Sequence, residues 1–386
     1  MSIKSDDKGF IANTYARFDI ALVSGKGSLV YDEDGNEYID LGTGIAVNTF
    51  GVADPEWTAA VTAQLGCLQH TSNLYYSAPD AELARMLCEK TGLKKVFFSN
   101  SGAEANECAI KVARKYAADK KGAEYNTIIT LKNSFHGRTI TTLAATGQDV
   151  FHTDFLPLTD GFVYCEANNI DELNRLVCEN KVAAIMFEIV QGEGGVMPLE
   201  KAFVEEIAKI AKRDDILMIA DEVQCGNGRT GELYGYMNFG ITPDIVSTAK
   251  GLGGGLPIGA TLMGEKTADV LTPSSHGSTF GGNPVCCAGA LNILSRLNKE
   301  ILDGVKTRSE YIINELSGAK GIKSITGMGL MLGIETEKDA SAVIDECRKN
   351  GVLVIKAKNK VRLLPALNIP MEMLIKAVAV IKTACA

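Results

Sequence analysis

Between residues 95 and 250 the chain repeatedly sets a short apolar run against a helical pattern, and this alternation narrows its possible folds more than any other feature. KKVFFS leads through SNSG into an amphipathic stretch, Ala103 to Asp119, with apolar or small positions at Ala105, Cys108, Ala109, Val112 and Tyr116. The runs TIITL, VAAIMFEIV and ILMIA follow, the last two preceded by the helical segments DELNRLVCEN and KAFVEEIAKIAKRD. Strands that alternate with helices this way pair side by side and bury both faces, so the pattern predicts an α/β fold with a mostly parallel sheet covered on both sides.

One stretch, residues 216 to 255, stands out within that pattern. The run Ile216 to Ala220 ends in the acidic pair Asp221 and Glu222, and a second apolar stretch, DIVSTA, ends in Lys250 before a glycine cluster. Open α/β sheets bind ligands at the carboxyl ends of their strands, so these charges could hold opposite ends of one ligand. Asp221 is open to two readings: a capping or ion-paired carboxylate at a strand end, or an anion that keeps a heteroaromatic nitrogen protonated. Lys250 is likewise either a helix-terminal cation or a desolvated amine suited to Schiff-base chemistry. The turn NSGAEA places small residues where the first free N–H groups of a helix point outward, a cradle for phosphate or carboxylate as well as an ordinary cap.

The flanks are different in character. GKGSLVYDEDGNEYID predicts a hairpin about Asp34-Gly35, NTYARFDIAL is irregular, and helices are expected from Pro55 behind a capping Asp54 and over roughly Pro79 to Thr91. After Gly289 a long helix, a β segment GMGLMLGIE, a helix ASAVIDECRKN, the strands VLVIKAK and VRLLPAL, and a closing helix from Met371 predict a smaller α+β lobe. At 386 residues the chain exceeds the size at which one core stops growing, about 250–300 residues, so two lobes are expected. The division is 1–50 as an N-terminal segment against the small lobe, 51–288 as the large lobe and 289–386 as the small one.

A net charge of −8 argues against a general nucleic-acid or anionic-membrane surface while leaving room for a local basic pocket. MSIKSDDKGF has no apolar leader core, and no apolar run approaches the ~18 residues of a membrane span, so a cytoplasmic protein is expected. Ten cysteines without CxxC or Cys/His ligand spacing are read as reduced thiols, and no metal site is expected.

The segments SNSGAEANECAIKVARKY, SFHGRT, DEVQCGNGRTG, STAKGLGGGLPIGA and GSTFGGNPVCCAGAL, in this order, resemble the class III pyridoxal-phosphate aminotransferases. NTYARFDIALVSGKG, GIAVN and HTSNLYY are similar to their acetylornithine branch. The resemblance covers nearly the whole chain. It implies fold type I, with a seven-stranded-type sheet in the large lobe, pyridoxal 5'-phosphate as cofactor, and a homodimer with shared active sites.

Carried over residue by residue, it implies that Lys250 binds the cofactor's aldehyde carbon and later moves the substrate proton, and that Asp221 pairs with the pyridine nitrogen. Phe135 and Val223 would flank the ring, Gln224 would approach its hydroxyl, and Ser101, Gly102, Ala103 and Glu222 would complete the cofactor site. Thr279 from the partner would reach the phosphate, and Ser278 the substrate. Arg138 would take the α-carboxylate of the amino donor. Arg362 would take that of glutamate, with Glu193 pairing Arg362 when the other substrate is bound, and Tyr15 would reach the substrate mouth. His136 is expected as a hydrogen-bonded loop residue, since Lys250 already carries the proton.

The implied reaction converts N2-acetyl-L-ornithine and 2-oxoglutarate to N-acetyl-L-glutamate 5-semialdehyde and L-glutamate, a step of arginine biosynthesis. Alternatives are another ω-aminotransferase acting on ornithine, succinylornithine, succinyldiaminopimelate or 4-aminobutyrate, a non-catalytic member, or a racemase or aminomutase. The chain departs from the family pattern in FGVADP, where Val52 and Asp54 replace two histidines, and at Asp19, which replaces a proline.

Overall fold

The computed structural model describes residues 2–386. A seven-stranded sheet runs in the order Lys95–Ser99, Gly259–Met263, Ile245–Thr248, Leu217–Asp221, Val182–Phe187, Thr127–Leu131, Phe162–Cys165. Every pairing is parallel except the two made by Gly259–Met263, which runs against both neighbours. Val182–Phe187, Leu217–Asp221 and Ile245–Thr248 are buried at every position, as strands covered on both faces must be.

Successive side chains leave a strand on opposite sides, and the core divides accordingly. Ala184, Met186, Leu217 and Ile219 pack with Cys108, Val112 and Tyr116 of the helix Gly102–Lys121. Ile185, Phe187, Met218 and Ala220 turn the other way, into a larger core with Phe203, Val204 and Ile207 of the helix Lys201–Asp214.

A second sheet joins the two ends of the chain. Leu22–Lys26, Leu29–Asp32 and Glu37–Asp40 form an antiparallel meander, and Val352–Leu353 adds in parallel to Glu37–Asp40. Near the C-terminus a four-stranded antiparallel sheet, Ile322–Met328, Met331–Thr336, Lys360–Leu363 and Ile355–Ala357, packs with the helices Lys299–Leu316, Ala340–Lys349 and Met371–Cys385.

The structure corrects several boundaries. GMGLMLGIE spans a hairpin rather than one strand, turning at Gly329 with φ +57°, where a Cβ would lie 2.5 Å from the Arg229 carbonyl oxygen. The expected long helix is two, Pro284–Arg296 and Lys299–Leu316, because Asn298 caps the second through Ile301 N–H. The strand Gly259–Met263 and the helix Ile3–Phe10 lie where no element was expected; the latter starts in a capping box of Ser2 and Ser5.

Both departures at the N-terminal side have a structural account. Asp54 caps the helix Pro55–Leu65 through Trp57 N–H at 3.0 Å and holds Arg296 in a two-point pair, 2.5 and 3.0 Å. Val52 bridges to Gly27, and exposed Asp19 pairs with Lys4 at 3.0 Å.

Candidate active site

The parallel strands all deliver their carboxyl ends to one edge of the sheet. There a cavity of about 200 Å³ is lined by Gly102, Ala103, Phe135, Arg138, Asp221, Val223, Gln224 and Lys250, with Asn106, His136, Gly137 and Glu188 completing its wall. Asp221 stands level with Ser247 of the neighbouring strand, so Lys250, three residues on, comes to the same edge. Lys250 holds φ +47°, a left-handed conformation costly for a side-chain-bearing residue, and leads into the glycine cluster. Burial pulls its ammonium pKa below the ordinary lysine range; Glu193, Asp221 and Glu188 oppose the shift, and Arg362 adds to it. A lysine so placed is readier to act as a free amine.

Asp221 is 3% exposed and held from three sides. Its Oδ2 accepts from Asn106 Nδ2 at 2.8 Å and pairs with His136 Nδ1 at 2.7 Å, while Oδ1 accepts from Val223 N–H at 3.0 Å. Asn106 also donates to the His136 carbonyl at 2.8 Å, closing the triangle. An ionised carboxylate can only accept, so the His136 Nδ1 that faces Asp221 is the donor of this pair. The network thus fixes an anion at the cavity wall, with its neighbours acting as donors.

Glu188 repeats the motif of a carboxylate following a buried strand. It accepts from Phe135 N–H at 2.9 Å and Gly192 N–H at 3.3 Å, tying together the loops that carry Phe135 and Glu193. Burial pushes its pKa up, with His136 opposing and Asp221 reinforcing the shift.

At the start of the helix Gly102–Lys121 the Ser101 hydroxyl accepts from Glu104 N–H at 3.2 Å and donates to the Glu104 carboxylate at 3.0 Å. Its oxygen therefore serves as the helix cap, and Ser101 is not among the cavity-lining residues. Gly102 is required by close approach, since a Cβ there would lie 2.6 Å from Val223 Cγ1. Glu222, expected with the cofactor-binding residues, is fully buried outside the cavity lining. Its oxygens accept from Gly235 N–H at 2.7 Å and Tyr236 N–H at 2.8 Å, making it a brace for the following turn.

The two expected arginines differ in state. Arg362, 2% exposed, donates to Glu193 at 2.6 and 3.4 Å, to Gln224 Oε1 at 3.1 Å and to the Lys356 carbonyl at 3.3 Å. Burial would raise the Glu193 pKa, but the Arg362 charge and hydrogen bonds outweigh it and hold the carboxyl low. Arg138 makes no ion pair among the described residues; its guanidinium lies over the rings of Phe151 and Phe135, 4.2 and 5.5 Å from their centres.

Ser278 and Thr279 lie outside this cavity, in a shallow depression with His70, Ser72, Asn73 and Leu74. Tyr15 is 69% exposed in a groove of the N-terminal segment. Sequence reasoning had left Asn106, Glu188 and Phe151 aside; for Glu188 the signal was present, an acidic residue directly after VAAIMF, the pattern that singled out Asp221.

Residues 10–385 match the family model described as aminotransferase class-III. The acetylornithine aminotransferase of Haemophilus ducreyi is 50% identical over 381 residues, covering 98% of this chain and 97% of that protein. The succinylornithine transaminase of Citrobacter koseri is 44% identical over 368 residues, covering 93% and 90%. The crystal structure of an ornithine aminotransferase from Toxoplasma gondii superposes with a TM-score of 0.95 at 30% identity, over 99% of this chain and 94% of that one. A lysine and a carboxylate at adjacent strand ends, a bare helix start and full-length similarity lead to one conclusion: the chain belongs to the class III aminotransferases.

Proposed function

We propose that this aminotransferase moves the δ-amino group of N2-acetyl-L-ornithine to 2-oxoglutarate, with pyridoxal 5'-phosphate as cofactor. The observation that carries the reading is the contrast between its arginines, one uncommitted at the cavity and one neutralised by a carboxylate. An amino donor whose α-carboxylate binds Arg138 presents its distal amine to Lys250, and meets no second free cation at Arg362. Glutamate needs its α-amine presented instead, and reaches Arg362 once Glu193 swings aside. Bidentate pairing fixes a carboxylate's direction as well as its charge, so which arginine holds the substrate decides which amine reacts.

The residues of the cavity suit the cofactor. Asp221, buried among donors, would hold a proton on the pyridine nitrogen; Phe135 and Val223 would take the ring faces, and Gln224 the ring hydroxyl. The N–H groups of Gly102 and Ala103, which have no acceptor within their helix, would take the phosphate, while the absence of a Cβ at Gly102 makes room for Val223. When bound, the cofactor supplies an electron sink. Lys250 is its covalent anchor and then the group that takes and returns the proton at the substrate carbon.

The assembly is a homodimer in which Ser278 and Thr279 serve the partner's site. That reading is supported by their place outside the Lys250 cavity and by the neighbouring exposed Leu74, Tyr75, Tyr76 and Phe280. The three-part division at residues 50 and 288 is supported by the central sheet, which lies wholly between residues 95 and 263, and by the pairing of Glu37–Asp40 with Val352–Leu353. Tyr15 belongs to the substrate mouth of the assembled dimer. A cytoplasmic site of action is supported by ten cysteines, all free. No helix among the described residues is long and apolar enough to cross a membrane.

A panel of amino donors with 2-oxoglutarate tests the assignment. The acetylated donor should show the highest kcat/KM, with 2-oxoglutarate consumed one for one. A clear preference for free ornithine would overturn it, and equal use of the succinylated donor would move the assignment toward the activity for which the Citrobacter koseri relative is named.

A further inference from the structure

Arg138 is the cavity arginine, it has no carboxylate partner among the described residues, and what holds it is aromatic. Its guanidinium carbon is 4.2 Å from the centre of the Phe151 ring, closer than to Phe135 at 5.5 Å, and the two rings meet edge to face at 5.8 Å and 74°. Phe151 is not one of the residues lining the cavity, whereas Arg138 is.

The turn bearing Phe151, Asp149–Phe151, is braced on both sides. Before it, Gln148 Nε2 donates to the Ser134 carbonyl at 2.9 Å and Gly147 N–H to the Ser134 hydroxyl at 3.0 Å, so the turn is fastened to the loop that carries Phe135. After it, His152 Nε2 makes a 3.0 Å bond with the Leu143 carbonyl, and its N–H reaches the Asp149 carbonyl at 2.9 Å. The turn that carries the ring is thus fastened on both sides, next to an Arg138 side chain with no ion pair among the described residues.

A guanidinium held over an aromatic ring gives up contact on that side to the ring and keeps N–H donors for a carboxylate. The side chain's freedom is removed before the substrate arrives, which lowers the ordering cost of binding. We propose that Phe151 is a positioning residue for substrate carboxylates: by lying against Arg138 it aims the guanidinium edge into the cavity, and so sets affinity for the α-carboxylate of the acylated donor and for the side-chain carboxylate of glutamate, whose α-carboxylate goes to Arg362. This rests on the assignment of the donor's carboxylate to Arg138.

The test follows the two half-reactions separately in the holoenzyme, by the absorbance change of the cofactor, for Phe151→Ala, Phe151→Leu, Phe151→Tyr and Arg138→Ala. Loss of one stack should raise KM for N2-acetylornithine about three- to fivefold in the Ala and Leu variants with kcat kept, and Tyr should restore it. KM for glutamate should rise in the same variants with kcat kept, since its side-chain carboxylate meets the same guanidinium while its α-carboxylate goes to Arg362. Leu fills similar volume without an aromatic face, so folding damage is separated from lost stacking. Wild-type KM in both Phe151→Leu and Phe151→Ala, alongside a large loss in Arg138→Ala, would overturn the role of Phe151 and leave the donor assignment standing. A fall in kcat of both half-reactions with KM unchanged would overturn it as well. An Arg138→Ala enzyme with unchanged KM for N2-acetylornithine would overturn the donor assignment and this inference together.

Discussion

The pair between Glu193 and Arg362 allows a quantitative test of how one cavity accepts two substrates. Glutamate's α-carboxylate must displace Glu193 from Arg362, so the affinity for glutamate is reduced by whatever that pair contributes. The pair has one strong contact of 2.6 Å and a weaker one of 3.4 Å, with Arg362 at 2% and the Glu193 side chain at 30% exposure. Hydrogen bonds between charged groups contribute about 1.5–3 kcal/mol, and the partial exposure of Glu193 argues for the lower end, about 1.5 kcal/mol. At 1.4 kcal/mol per factor of ten, Glu193→Gln should raise kcat/KM for the glutamate half-reaction by about tenfold, chiefly through KM. An unneutralised Arg362 should also capture acetylornithine the wrong way round, with its acetylated nitrogen toward Lys250, and this appears as an equal fall in kcat and KM with kcat/KM kept. Free ornithine bound that way presents its α-amine and should become an α-amino donor. Stopped-flow half-reactions with each substrate read all three effects. An unchanged KM for glutamate with unchanged kcat and KM for acetylornithine would refute the switch and leave Glu193 a structural partner of Arg362.

Other outcomes follow from single features. Lys250→Ala should abolish transamination and the visible absorbance of covalently held cofactor, while the unfolding temperature of the cofactor-free protein stays level, because a desolvated cation is removed; full activity would sink the assignment. Burial lifts the Glu222 pKa from 4.5 to about 8 against the N–H groups of Gly235 and Tyr236. A carboxyl whose folded pKa lies above its unfolded one contributes stability at low pH that is lost as pH rises through the folded value, so the urea midpoint should carry a decline across that window that Glu222→Gln removes; identical profiles would refute it. Asp54→Ala should cost about 2–3 kcal/mol in denaturant unfolding, about 1 from the helix cap and the rest from the pair with Arg296, whereas Arg296→Ala should spare the cap.

How far the fold could be read ahead depends on which direction in space a pattern encodes. Apolar runs flanked by helices locate strands buried on both faces, and VAAIMF, LMIAD and IVST are such strands. GATLM was missed because its run emerges from GLGGGLPI, a stretch with the composition of a loop, and because nothing in alternation records that one strand is antiparallel. The contacts of Asp221 with His136 and Asn106 join residues 85 and 115 positions apart, a distance no local period spans.

Glu222 is a different kind of miss, one that elementary geometry could have prevented. Side chains alternate across a strand, so residues 217, 219 and 221 share a side and residues 218, 220 and 222 take the other. Leu217 and Ile219 pack under the helix Gly102–Lys121, and that helix supplies Asn106 to Asp221. Met218 and Ala220 belong to the opposite core along with Tyr234 and Tyr236, and the Glu222 carboxylate accepts from the backbone of that same turn. An acidic pair at a strand end therefore cannot place both members on one ligand while the strand's alternation persists. The same parity puts Glu188, two residues beyond Met186, on the side of Asp221, where it binds Phe135 N–H in the cavity wall. No such rule reaches Phe151, because its position depends on a turn held by side chains of Gln148 and His152, and such a turn has no period to read.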